Sequence, residues 1–263
     1  MTKGKRYNTK TKKRRFKIKS KAKLFRVFLI LFLIISLIIL IVKLTSKKDN
    51  NPLVEGILND NSVPQANVET ERMKLLKELQ KENSDIVAWI EIEDSKINYP
   101  VLQGEDNDYY MTHTYKEEYS KDGSLFLDKN YDWSKPSSNL LIYGHNNIGS
   151  KEMFVDLMKY EDKEYYNNHK TIRFTTAEED AEYEIIAVFK SRVYYKSEKD
   201  VFRYYFFIDA ENEQEFNEYV QNSKEASLYN IEATAQYGDQ LLTLSTCSYH
   251  TEDGRFAVVA RKK

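Results

Sequence analysis

The sequence predicts a mainly β domain with an N-terminal helix and inserted helices, preceded by one membrane-spanning helix. Three observations favour this fold class. Between residues 86 and 261, eight short segments are rich in β-branched and aromatic residues or alternate in polarity, as strands do. Only a few segments space their apolar residues as a helix does. Residues 24–44 form an almost uninterrupted apolar run. Strands and helices do not alternate regularly, which argues against a doubly wound nucleotide-binding sheet.

The apolar run at 24–44 has the length of a membrane span. Its polar residues are Arg26, Ser36 and Lys43. At about 1.5 Å of rise per residue, the run spans roughly 31 Å as a helix, close to the hydrocarbon thickness of a bilayer. A buried helix of a soluble protein would show a polar face, and none is present. A cleaved signal peptide would be followed by a small-x-small site, whereas Lys-Leu-Thr-Ser-Lys-Lys follows here. We therefore expect a retained anchor.

Charge is divided between the two ends of the chain. Residues 1–48 hold 16 basic and no acidic residues, so the remaining 24 basic and all 41 acidic residues lie in 49–263. Most of the basic residues precede the span, which predicts a cytoplasmic N-terminus and an extracellular remainder. Contact of the basic tail with membrane lipid is then favoured over nucleic-acid binding. The predicted parts are a cytoplasmic tail at 1–23, a single-pass anchor at 24–44, a stalk at 45–67 and an extracellular domain at 68–263.

The stalk is polar and contains two prolines. From about Val68 a helix is expected, because Leu75, Leu76 and Leu79 fall on one helical face. The remaining predicted elements are helices at 151–167 and 212–229 and strands at 86–93, 98–103, 124–128, 139–143, 171–175, 182–193, 240–247 and 255–261.

Composition excludes several classes of protein. The chain of 263 residues has one cysteine, so an intramolecular disulfide framework and a zinc site with two thiolates are excluded. Eight glycines and four prolines exclude a collagen-like chain. Neither a metal nor a cofactor is expected.

The single cysteine, Cys247, ends a predicted strand. It could be an inert buried residue, an intermolecular disulfide partner or a reactive thiol. Alternation places Thr243, Ser245 and Cys247 on one face of that strand, and Arg255 opens the returning strand. A hairpin would bring the guanidinium near the thiol, where a cation favours the thiolate and can stabilise an oxyanion. This pattern favours a reactive thiol.

A nucleophilic cysteine needs a proton-transfer partner. His145 follows the apolar strand 139–143 and Gly144, so it projects from a strand end. The other three histidines lie in polar stretches or in the loop after the cysteine. We therefore prefer His145.

These motifs together resemble those of sortases. The TLSTC segment at 243–247, followed eight residues later by Arg255, is similar to the sortase cysteine motif and arginine. The YGHN segment at 143–146 resembles the sortase histidine motif. DIVAWI at 85–90 and GSLFLD at 123–128 are most similar to class B. One departure is that Ser248 and Tyr249 follow the cysteine, where some class B members carry an acid, so no catalytic acid is assigned.

The resemblance implies a β-barrel of about eight strands and a cysteine transpeptidase of a Gram-positive cell surface. Cys247 would attack a threonine carbonyl in a C-terminal sorting motif, His145 would transfer protons and Arg255 would hold the oxyanion. Substrate-binding roles are expected for Ser245, Thr246 and Asn146. The implied partners are surface proteins with an NPxTx- or LPxTG-like sorting signal and an amine of a peptidoglycan precursor or cross-bridge.

Two alternatives stay open from the residues alone. One is another exported cysteine hydrolase or wall-modifying transpeptidase. The other is a non-enzymatic, membrane-tethered surface protein in which Cys247 is structural.

Overall fold

The structure, a computed structural model, describes residues 65–263, with side chains from residue 71. The predicted tail at 1–23, anchor at 24–44 and most of the stalk lie outside the described residues. Within 65–263 no helix combines the length and apolar character needed to cross a bilayer.

Helices and strands follow one another along the chain without a regular alternation. The α-helices are α1 (Gln65–Glu82), α2 (Lys163–Asn168) and α3 (Glu213–Ala226). Short 3-10 helices cover Tyr109–Met111, Met153–Glu161 and Tyr204–Phe206. The strands are β1 (Ile86–Glu91), β2 (Asn98–Leu102), β3 (Leu125–Leu127), β4 (Asn139–Tyr143), β5 (Thr171–Thr176), β6 (Asp180–Arg192), β7 (Leu241–Cys247) and β8 (Gly254–Lys262).

The eight strands close into one barrel in the order β1-β2-β3-β4-β7-β8-β6-β5, with β5 pairing back to β1. The β2–β3 and β4–β7 pairs are parallel and the others are antiparallel. The predicted mainly β fold and the implied eight-stranded barrel are therefore confirmed.

The barrel wall packs on both of its faces. Along β7, Leu242 and Leu244 point into the central core. The side chain of Leu241 points the opposite way and belongs to a second apolar cluster, on the outer face of β4, β7, β8 and β6. The segment between β6 and β7 covers that outer face, and α3 contributes Phe216 and Tyr219 to it. Because neighbouring side chains on a strand point to opposite faces, both faces of this part of the wall are buried.

The structure differs from the sequence expectation most clearly at two places. The single helix expected at 151–167 is wrong: a 3-10 helix and α2 replace it. Between them Asp162 is extended, and its side chain accepts a hydrogen bond from the Glu164 amide at 2.8 Å, so it caps α2 and interrupts any longer helix. At the second place, α1 begins at Gln65, inside the segment predicted as stalk.

The cap of α3 provides a stability test. Asn212 Oδ1 accepts a hydrogen bond from the Glu215 amide at 3.1 Å. We expect Asn212→Ala to lower the free energy of unfolding by about 1 kcal/mol, because one amide of the first turn loses its acceptor. Urea unfolding measures the change. Asn217→Ala, the same substitution on the exposed face of α3, is the control and should not destabilise. An equal loss in both variants would contradict the role of the cap.

Candidate active site

Parallel pairing of β4 with β7 places two of the predicted catalytic residues, His145 and Cys247, next to each other at the ends of their strands. Tyr143 pairs with Ser245 in this register, and His145 and Cys247 each lie two residues farther along. Asn146 Nδ2 donates to the Cys247 carbonyl at 3.1 Å, which ties the two strand ends together. His145 and Cys247 are therefore held side by side although they are distant in sequence.

Arg255 reaches the same place from the neighbouring strand. It pairs with Cys247 in the β7–β8 register. Its Nη1 donates to the carbonyls of Gly254 at 3.0 Å and Asp253 at 3.3 Å. No carboxylate of residues 71–263 forms an ion pair with it. The guanidinium therefore keeps an uncompensated positive charge beside the thiol.

One open cavity of about 250 Å³ collects these groups. Cys247 is a free, partly exposed thiol. The cavity is lined by Asn107, Met111, Phe126, Tyr143, Gly144, His145, Ser245, Thr246, Cys247 and Arg255. Five of the six predicted site residues are thus brought together. Asn146 does not line this cavity and instead joins the strand ends.

His145 has a defined orientation. Its Nε2 lies 2.8 Å from the Met111 carbonyl oxygen. Because a carbonyl oxygen only accepts hydrogen bonds, Nε2 carries a proton in this arrangement, and Nδ1 is the nitrogen free to gain or lose one. Two other histidines are engaged elsewhere: His113 stacks on Tyr109 and His169 stacks on Tyr165.

Gly144 is required where the chain passes between two buried side chains. A Cβ at this position would lie 2.7 Å from Phe154 Cδ2 and closer still to Leu125 Cδ2. Both neighbours are fully buried and cannot move aside at low cost. A side chain here would displace the backbone that carries His145.

Asp128, which the sequence analysis did not single out, orders one wall of the cavity. Its side chain is nearly fully buried. Oδ2 accepts hydrogen bonds from Asn107 Nδ2 at 2.9 Å and from the Tyr143 hydroxyl at 3.0 Å, and the Asn130 amide donates to Oδ1. Burial, reinforced by Asp128, raises the pKa of Tyr143, so its phenol stays neutral. The only sequence signal for this role is an acid directly after a strand.

Tyr204 supports the outer face of the catalytic strand. Its ring is fully buried and its hydroxyl lies 2.7 Å from Ser245 Oγ. Two residues earlier, on the same face of β7, Thr243 Oγ1 lies 2.8 Å from the Tyr219 hydroxyl. The segment between β6 and β7 is therefore hydrogen-bonded to β7 at two successive outward positions. An aromatic run at 202–207 is visible in the sequence, but nothing there identifies its partner.

A thiol, an imidazole and an unpaired guanidinium in one cavity are what a cysteine acyltransferase or peptidase requires. Comparison with known proteins gives the family. The family model described as Sortase domain matches residues 90–263, and the chain belongs to the sortase family. The chain is 36% identical over 194 residues to sortase B of Listeria monocytogenes, covering 73% of this chain and 75% of that protein. It is 31% identical over 185 residues to sortase B of Staphylococcus aureus, covering 70% and 72%.

Solved structures agree with this assignment. A Staphylococcus aureus sortase B–substrate complex matches with a TM-score of 0.64 and 29% identity, covering 73% of this chain and 85% of that one. A mutant form of Clostridium perfringens sortase B matches with a TM-score of 0.67 and 26% identity, covering 76% and 91%. The chain is a sortase-type cysteine transpeptidase of class B, which confirms the resemblance and removes the non-enzymatic alternative. The roles of the individual site residues stay predictions.

The two buried tyrosines that are hydrogen-bonded to β7 allow a matched test of how the site is supported. Tyr204→Phe and Tyr219→Phe should each lower the free energy of unfolding by about 1 kcal/mol, because each removes one buried hydrogen bond. Only Tyr204→Phe should also lower kcat/KM, by about 3- to 10-fold, because Ser245 lines the cavity and Thr243 does not. Urea unfolding and peptide-cleavage kinetics measure the two effects. Equal losses of activity in both variants would show that Tyr204 has no special relation to the site.

Proposed function

We propose that this chain is a membrane-anchored transpeptidase that cleaves a C-terminal sorting motif of surface proteins after threonine and transfers them to a peptidoglycan amine. The observation that carries the proposal is the convergence of Cys247, His145 and Arg255 in one open cavity. Family membership supplies the class of reaction. The residue roles, the motif, the acceptor and the anchoring belong to the proposal.

In the first half-reaction the Cys247 thiolate attacks the threonine carbonyl carbon. The tetrahedral oxyanion lies against Arg255, whose charge no described carboxylate neutralises. The carbon–nitrogen bond then breaks, and protonated His145 gives its proton to the departing amine. The products are a thioacyl-enzyme and the free C-terminal segment of the substrate.

In the second half-reaction the acceptor amine attacks the thioester carbonyl. Neutral His145 takes a proton from the amine nitrogen, the carbon–sulfur bond breaks and Cys247 leaves as a thiolate. Arg255 stabilises the oxyanion a second time. Water reacting in place of the amine gives hydrolysis. An amine that is held close reacts faster than water because its nitrogen is the better nucleophile.

The proposed substrate is an NPxTx- or LPxTG-like sorting signal. The cavity offers apolar contact through Met111 and Phe126, and polar contact through Tyr143 and Asn107, which Asp128 holds in place. A sortase B of Staphylococcus aureus has been solved in complex with a substrate, which supports a substrate-binding role for this chain. The same cavity would serve a cysteine hydrolase or a wall-modifying transpeptidase, so dependence on an amine is the property to test.

The proposed topology rests on the sequence. Residues 24–44 would span the membrane, and the basic residues that precede them would keep the N-terminus cytoplasmic. Because α1 begins at Gln65, about 20 residues would separate the membrane from the folded domain. This short connection would keep the cavity near sorting-signal proteins and wall precursors at the outer membrane surface.

The direct test offers the full-length chain a panel of sorting-motif peptides, with and without an added amine, and measures products by mass. We expect cleavage after threonine and a ligated product that requires the amine. Cys247→Ala and His145→Ala should abolish ligation. Arg255→Ala should lower kcat by about 100-fold or more, as loss of an oxyanion donor does.

Arg261→Ala is the matched control for Arg255→Ala. Arg261 lies in the same strand, donates to Glu184 at 2.9 Å and does not line the cavity, so ligation should persist. Cleavage without any amine-dependent product would favour the hydrolase. Full activity of Cys247→Ala would overturn the mechanism.

The single cysteine also reports on topology. A membrane-impermeant thiol reagent should label Cys247 in intact cells from which the wall has been removed, because the chain has no other thiol. In a Cys247→Ala background, Thr2→Cys should be labelled only after the membrane is permeabilised. The reverse pattern of labelling would contradict an extracellular catalytic domain.

A further inference from the structure

A second cavity lies at the end of the barrel opposite the active site. The active site is at the carboxyl ends of β4 and β7, whereas the second cavity is lined by Leu140 near the start of β4 and by Gln240 just before β7. Its volume is about 500 Å³, within the range of about 300–1,000 Å³ usual for ligand pockets. No residue lines both cavities. The second cavity is therefore separate from the catalytic one.

Two tyrosine hydroxyls of this cavity have no protein partner. Tyr131 and Tyr183 line it, and their side chains are only 6% and 3% exposed. Among the described residues, neither hydroxyl has a hydrogen-bond partner. Tyr160, which is also buried, differs from them because its hydroxyl donates to the His169 carbonyl at 2.8 Å. Neither hydroxyl oxygen is among the fully buried unpartnered atoms of the described residues, so both remain accessible from the cavity and available to a ligand.

Both phenols are neutral and can each donate and accept. Burial, with a smaller contribution from Asp209, raises the pKa of Tyr131 to about 12. Burial, together with the nearby Tyr131 and Glu179, raises the pKa of Tyr183 above its ordinary value. They therefore present hydroxyl groups and no charge at physiological pH.

The remaining polar groups add acceptors and one exposed carboxylate, that of Glu178, which has no ion-pair partner among the described residues. Gln240 Nε2 donates to the Ser137 carbonyl at 2.7 Å, and Gln80 Nε2 donates to the Ile86 carbonyl at 2.9 Å. The Oε1 atom of each side-chain amide can therefore accept a hydrogen bond from a ligand. At the rim, Lys262 pairs with Glu179 at 2.5 Å and neutralises it. An anionic ligand gains nothing from such a lining, whereas a ligand with several hydroxyls can donate to these oxygens.

Trp133 supplies an apolar surface at the mouth. It lines the cavity, is 39% exposed and packs edge-on against Tyr131 with ring centroids 4.9 Å apart. Its Nε1 donates to Gln103 Oε1 at 2.7 Å, so the ring orientation is fixed. A fixed, partly exposed indole beside hydroxyl and amide groups suits a ring that has an apolar face and polar edges.

We propose that this cavity is a binding site for a neutral oligosaccharide. Sugar rings would pack on Trp133, and their hydroxyls would bind the Tyr131 and Tyr183 phenols and the amide oxygens of Gln80 and Gln240. The site is independent of the thiol chemistry, so it would hold the enzyme on a glycan while leaving the catalytic cavity open.

Tryptophan fluorescence of the full-length chain tests the proposal. The chain has two tryptophans, and Trp89 does not line the cavity. Tetramers of N-acetylglucosamine and of glucose should each be titrated, with saturation-transfer NMR as a second readout. We expect a saturable change with a dissociation constant on the order of 1 mM or below for at least one tetramer. Tighter binding of the N-acetylglucosamine tetramer would identify a wall-type glycan as the source, and equal binding would identify a general saccharide site.

Hydroxyl deletions provide the decisive variants. Tyr183→Phe and Tyr131→Phe should each weaken binding by about 3- to 10-fold without loss of thermal stability, because no hydrogen bond within the protein is removed. Tyr160→Phe, the matched control, should lose stability and keep its affinity. Cys247→Ala should bind as the unmodified chain does, so a failure of ligation and a failure of glycan binding are distinguishable. Absence of binding by both methods, or unchanged affinity in both hydroxyl variants, would overturn the proposal.

Discussion

The active site depends on the parallel pairing of β4 with β7. Tyr143 opposite Ser245 fixes the register, and the side-by-side placement of His145 and Cys247 follows from it. A slip by one residue would turn His145 or Cys247 to the other face of the wall. Two side-chain bonds secure the strand ends beyond the last backbone pair: Thr246 Oγ1 donates to the Gly144 carbonyl at 2.7 Å, and Asn146 donates to the Cys247 carbonyl.

Burial of both faces of β7 makes the catalytic strand stiff. Its inward residues pack into the barrel core. On its outward face Leu241 makes apolar contacts, and Thr243 and Ser245 form hydrogen bonds to the segment between β6 and β7. Thr243, Ser245 and Cys247 form one outward row, in which the first two are tied to tyrosines and the third reaches the cavity. The proposed nucleophile is thus the free end of an otherwise fixed row.

Local patterns in the sequence predict most of the fold and half of the site. The strands were visible because alternation and β-branched residues are local signals, and the β7–β8 hairpin placed Arg255 beside Cys247. His145 was identified because it follows a strand end. Asp128 and Tyr204 were not identified, because their partners are chosen by pairings between distant segments: 41 residues separate Tyr204 from Ser245. The break between the 3-10 helix and α2 was missed because the apolar spacing continues across Asp162.

Sequence distance across the β4–β7 pair also bears on when the enzyme becomes active. The hydrogen bond between Asn146 and Cys247 joins residues that are 101 positions apart in the sequence. The strands β5 and β6, which lie between them in the sequence, pair elsewhere in the barrel. Contacts of this range form late and slowly, because the chain entropy lost in closing such a loop is recovered only when the sheet is complete. A partly folded chain therefore carries its thiol without the imidazole beside it. In the proposed mechanism, which needs both groups, reactivity toward substrate therefore requires barrel closure.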